Sequence, residues 1–133
     1  SSGRAFISVR GSDKDKVMDI ARILAEQGFN LVATRGTAAA LAAAGLAVTP
    51  VNKVHEGRPH IVDMIKNGDI NLIVNTVEDR RGVHDSYAMR NAALQNKITY
   101  YTTLAGARAA CAGIQHMKEL QVYDLQGLHA TLL

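Results

Sequence analysis

The chain has 133 residues, 47% of them hydrophobic and 20% charged, and carries a formal net charge of +3 with its five histidines left out of the count. That composition belongs to one folded domain and excludes a disordered chain, and no run of about 18 apolar residues is present to make a helical membrane span. A single cysteine, Cys111, excludes an internal disulfide or a cysteine zinc cluster and agrees with a reducing, cytoplasmic setting.

No apolar stretch of the signal-peptide kind follows Ser1-Ser2-Gly3, and the first residue is not Met. Residues 1–3 are set apart as a candidate cloning remnant, and 4–133 are taken as one domain. Arg4 to Val9 reads as a buried strand. Ser12 to Gln27 reads as a helix: Ser12 and Asp15 have capping-box spacing, Val17, Ile20, Ala21, Ile23 and Leu24 form the apolar stripe, and Gly28 is the stop. Phe29 to Ala33 is a second strand, and Thr37 opens a short Ala-rich helix ending at Gly45. Ala47 to Val51 is a weaker third strand, assigned to a sheet edge by Pro50. After the polar loop Asn52 to Arg58, Pro59 starts a helix through Ile61, Met64 and Ile65 that stops at Asn67-Gly68. Ile70 to Asn75 is an apolar, interior strand. A helix lies within Arg80 to Gln95, a short strand at Ile98 to Tyr101, and a helix at Leu104 to Met117. Leu120 to Leu125 is a candidate last strand, with a short helix after it.

Strands alternating with helices predict an α/β three-layer sandwich: a five-stranded parallel sheet with helices on both faces, flavodoxin-like, the third strand at an edge and the fourth inside. In such sheets ligands bind beyond the carboxyl ends of the strands. Those ends carry Ser8, Arg10 and Lys14; Thr34 to Thr37; Asn52 and Lys53; Asn75 and Thr76; Thr102 and Thr103. The sharpest segment is Thr34-Arg35-Gly36-Thr37. Gly36 permits a tight entry into a helix whose first amides lack internal acceptors, Thr34 and Thr37 offer hydroxyls, and Lys14 and Lys53 offer charge. This pattern makes a monophosphate cradle or, equally, a plain N-cap at Thr37 with solvated lysines; spacing leaves both open.

A pI near 9.2 favours phosphate-bearing partners. The basic residues are scattered, though, and with no Trp, two Phe and four Tyr there is little stacking surface for nucleic acid. Neither a Walker A nor a GxGxxG run occurs. His55 and His60 are five apart, not four, His84-Asp85 are adjacent on a helix, and His116 and His129 have no visible partners, so no metal site is expected. Cys111 reads as a buried small hydrophobe, and Arg80-Arg81 as a solvated helix start or a cover over a ligand.

Lys14, the ATRGT run (Ala33 to Thr37), the NKVHEGRPHI run (Asn52 to Ile61), Asn75-Thr76, Arg80-Arg81, Asp85-Ser86 and YYTTL (Tyr100 to Leu104) together resemble the C-terminal, methylglyoxal-synthase-like regulatory domain of carbamoyl-phosphate synthase large subunits. The resemblance covers Gly3 to about Ala130. It implies a non-catalytic domain binding allosteric nucleotides, UMP as inhibitor and IMP as activator. On the matching positions it implies a phosphate pocket of Lys14, Thr34, Gly36, Thr37 and Lys53, and ribose or base contacts from Ser8, Asn75, Thr76, Asp85, Ala88 and Met89. Tyr100 and Thr102 match contacts of an ornithine site that is completed by the neighbouring synthetase domain. The partners it implies are the rest of the large subunit and a small glutaminase subunit, the parent enzyme using ATP with Mg or Mn for arginine and pyrimidine synthesis. Val77 stands where the family often has a hydroxyl, and Tyr101 where it often has an acid. The enzyme alternative is methylglyoxal synthase, acting on dihydroxyacetone phosphate. The Glu56 to His60 run lacks the carboxylate base of that family, and Tyr87 replaces its second Asp, leaving His84 alone.

Overall fold

The computed structural model describes residues 3–53, 56–57, 60–77 and 80–113, the side chains of 80–85 excepted. The candidate strand at 120–125, the short helix after it, His55, Arg58, Pro59, His116 and His129 lie outside the described residues. The elements are β1 (Gly3–Ser8), a 3₁₀ turn (Gly11–Asp13), α1 (Met18–Glu26), β2 (Phe29–Thr34), α2 (Arg35–Ala43), β3 (Val48–Val51), α3 (Ile61–Lys66), β4 (Leu72–Asn75), α4 (Arg80–Gln95) and β5 (Thr99–Tyr101). A further helix, α5, covers 104–113.

The strands form one five-stranded sheet in the order β3-β2-β1-β4-β5, and every pairing is parallel. The α/β class is the expected one, with the third strand at an edge and the fourth inside. Within flavodoxin itself the second strand takes the edge; here the chain walks outward from β1 through β2 to β3 before it turns back. Right-handed crossovers then fix the layers. The outward walk puts α1 and α2 on one face, where Ala5, Ile7, Leu31, Ala33 and Val74 pack with Ile20, Leu24 and Leu41. The return through β4 to β5 puts α3 and α4 on the other, where Phe6, Val32 and Ile73 pack with Ile61, Ile65 and Met89. Helix α5 comes back to the first face through Ala107 and Cys111. Burial raises the Cys111 thiol pKa, so it stays a neutral packing group.

Three helix starts differ from the sequence reading, the simplest being α3, expected from Pro59 and beginning at Ile61. Helix α1 begins at Met18, not Ser12. Ser12 and Asp15 are exposed and form no capping box; the buried acid is Asp13, which closes the preceding 3₁₀ turn through Arg10 Nε at 2.8 Å. Helix α2 begins at Arg35, so its N-cap is Thr34 and Thr37 lies in its first turn. Gly28 stops the first helix as expected, with a φ of +95° that only glycine adopts freely.

Candidate functional site

The last residues of three adjacent strands form a polar row. Ser8 pairs with Asn75 across β1 and β4, and one step beyond the Ile7–Ala33 pair it stands beside Thr34. Side chains alternate along a strand, so Ser8 follows Phe6, Thr34 follows Val32 and Asn75 follows Ile73, all on the α3–α4 face. All three are buried. The row crosses the point between β1 and β4 where the winding direction reverses and a crevice opens.

At one end of this row is the N-terminus of α2. The Thr34 hydroxyl donates to Ser8 Oγ at 3.2 Å and lies 3.5 Å from Thr37 Oγ1, and its oxygen accepts no capping bond from the helix amides. Thr37 Oγ1 accepts from the Val9 amide at 3.2 Å, leaving its own proton to go to Thr34 or to an anion. Above this uncapped turn sits Lys14. Its ammonium lies against Gly36: a Cβ there would stand 2.9 Å from Lys14 Nζ. Uncapped amides, a helix dipole, buried hydroxyls and a lysine converge on one point, an arrangement suited to an anion of phosphate size. The reading of Thr37 as the helix cap fails, because that place belongs to Thr34.

The other end of the row is held by Asn75. Its Nδ2 donates to Ser86 Oγ of α4 and to Tyr100 Oη of β5, each at 2.7 Å, and its Oδ1 accepts from the Val77 amide at 3.3 Å. Between the two ends lies a hollow of only about 10 Å³, lined by Phe6, Ser8, Thr34, Lys53, Ile61, Asn75, Val77, Ser86 and Met89. That is room for about one water, so a larger ligand would lie over the hollow and send no more than a single polar group into it.

Residues 16–102 match the MGS-like domain family. The chain belongs to that family. It is 55% identical over 131 residues to the carbamoyl phosphate synthase large chain of Ralstonia nicotianae, covering 98% of this chain and 12% of that protein. It is 52% identical over 130 residues to the same protein of Xanthomonas axonopodis pv. citri, again covering 98% and 12%. The chain thus spans about 12% of the length of these relatives. Its fold matches the crystal structure of methylglyoxal synthase from Elizabethkingia anophelis with a TM-score of 0.65 at 15% identity, over 83% of this chain and 78% of that one.

The MGS-like domain brings most of the expected positions together and turns others away. Lys53 lines the hollow, and its loop is shaped by its neighbours: Glu56 Oε1 accepts the Lys53 amide at 2.6 Å, and Arg35 Nη2 donates to Asn52 Oδ1 at 3.0 Å. Met89 is in the lining, while Ala88 packs behind it. Thr76 does not line the hollow. One residue past Asn75, it faces the opposite way, and its hydroxyl accepts the Arg10 amide at 3.1 Å. Thr102 is exposed beyond β5. The side chains of Arg80, Arg81, His84 and Asp85 lie outside the described set. Ser86 is a lining residue that sequence reasoning missed as a contact; its signal was only its place in the Asp85-Ser86 pair. No helix among the described residues is long and apolar enough to cross a membrane.

Asp13 braces the loop that carries Lys14. The Arg10 guanidinium, with help from Thr76 and Lys16 and against the cost of burial, holds its carboxyl below the ordinary value of 3.8. A depressed folded-state pKa stabilises the native state above the unfolded value and loses that contribution as pH falls through the folded one. Urea unfolding of wild type should therefore lose stability below about pH 4, and Asp13→Asn should flatten that limb. An unchanged acid limb in Asp13→Asn would remove Asp13 from this role.

Proposed function

We propose that this MGS-like domain is a regulatory module of a carbamoyl-phosphate synthase large chain and binds nucleoside monophosphates, UMP as inhibitor and IMP as activator, at the β1–β2–β4 strand ends. The observation that carries the proposal is Lys14 seated over Gly36 at the uncapped N-terminus of α2, beside the buried hydroxyls of Ser8, Thr34 and Thr37. The phosphate goes to that cradle together with Lys53; ribose and base extend over the hollow toward Asn75, Ser86 and Met89. Tyr100 and Thr102 contribute to an ornithine site shared with the rest of the large chain. In the whole enzyme, which joins a small glutaminase subunit and uses ATP with Mg or Mn to make carbamoyl phosphate for arginine and pyrimidine synthesis, nucleotide binding biases how this domain sits against the synthetase core. Such coupling is typically about 1–3 kcal/mol.

The domain itself is proposed to be non-catalytic. Removal of phosphate from a triose phosphate needs a carboxylate base beside the carbon acid. Among the described residues, neither Glu56, which accepts from the Lys53 amide, nor Asp13, which pairs with Arg10, lines the hollow. The testing experiment is calorimetric titration with UMP and then IMP in phosphate-free buffer. One-to-one binding, competed by inorganic phosphate, is expected. Silence from both nucleotides, with turnover of dihydroxyacetone phosphate, would replace this reading with the enzyme one.

A further inference from the structure

Asn75 has no spare donor. The Val77 amide can only donate, so the atom it meets is Oδ1, and this fixes the NH₂ end toward Ser86 and Tyr100. Both N–H groups are then committed, at 2.7 Å each. A ligand group that accepts a hydrogen bond from Asn75 in the hollow has to take it from one of these two hydroxyls.

The two competitors differ in what their release does. Ser86 lines the hollow, so a freed Ser86 hydroxyl can turn to the same ligand. Tyr100 lies outside that lining. Its ring packs in the α3–α4 core and stacks under Arg90, whose guanidinium carbon is 5.5 Å from the ring centroid. Arg90 is exposed on α4. A bond taken from Tyr100 is therefore felt at an outer surface.

We infer that Asn75 passes occupancy of the hollow to the β5–α4 side of the domain: ligand and Tyr100 compete for one Asn75 N–H, and Tyr100 with Arg90 registers the result. This rests on the nucleotide reading above. It also separates two classes of anion. Inorganic phosphate seated near Thr34 is two strand spacings from Asn75, roughly 9–10 Å, and does not reach it; a nucleoside monophosphate does.

Tyr100→Phe tests the competition by deleting the rival acceptor and keeping the ring. Calorimetry should show UMP tightening by about two- to tenfold while inorganic phosphate is unchanged, the range expected for one neutral hydrogen bond. In the unsubstituted chain, the ¹³Cζ resonance of Tyr100 should shift with saturating UMP and stay in place with phosphate. UMP affinity unchanged or weakened in Tyr100→Phe, or a phosphate affinity altered as much as that for UMP, overturns the relay and leaves the effector site standing. Failure of both UMP and IMP to bind the unsubstituted chain overturns both.

Discussion

UMP and IMP should lose affinity together, by roughly 10- to 100-fold, when Lys14 is replaced by alanine. A charged hydrogen bond to phosphate is worth about 1.5–3 kcal/mol, and both nucleotides present the same phosphate. The geometry also supplies a partner experiment that leaves the charge in the chain. Gly36 lies within α2 without a positive φ, so alanine there is a better helix former by about 0.5–1 kcal/mol. Its Cβ would nevertheless stand 2.9 Å from Lys14 Nζ, so the flexible end of the lysine must shift aside. Gly36→Ala should melt at a higher temperature and bind both nucleotides more weakly. Calorimetry on the two variants decides: a Lys14→Ala chain that binds UMP normally removes Lys14 from the cradle, whatever Gly36→Ala does.

Thr37→Val is expected to cost about 1–3 kcal/mol of folding stability before any ligand is added. The hydroxyl accepts from the buried Val9 amide, and an isosteric valine leaves that donor without its acceptor. Thr37→Ser keeps the oxygen and should recover most of the loss in urea unfolding. Equal stability of wild type and Thr37→Val would show that the amide finds another acceptor. A binding defect in Thr37→Val thus mixes folding with recognition, which makes Lys14 and Lys53 the cleaner probes of the cradle.

The sheet was legible because its strands are apolar runs with Gly28, Gly45 and Gly68 between them, and because Pro50 marks an edge. The α2 end of the polar row was legible for a local reason: Thr34, Gly36 and Thr37 lie in one turn, and a strand end followed by a helix N-terminus has few geometries. The start of α1 was not, since Ser12 and Asp15 have the spacing of a capping box while the bond that forms joins Arg10 to Asp13. The opposite facing of Asn75 and Thr76 follows from strand alternation and was open to prediction, yet the family resemblance groups the two. The meeting of Asn75, Ser86 and Tyr100 was out of reach. It depends on how α4 and β5 pack beside β4, a relation across 11 and 25 residues that no local pattern encodes.

The hollow draws its lining from the ends of β1, β2 and β4, from the loops after β3 and β4, and from α3 and α4, stretches that an unfolded chain holds far apart. A ligand bound there recognises only the native state, so its concentration enters the folding equilibrium directly. At a free level 100 times its dissociation constant, such a ligand adds about 2.7 kcal/mol. Domains commonly hold only about 5–15 kcal/mol in all. On the effector reading, nucleotide pools would then govern the survival of this domain as well as its signal, and proteases would find it most readily when those pools run low.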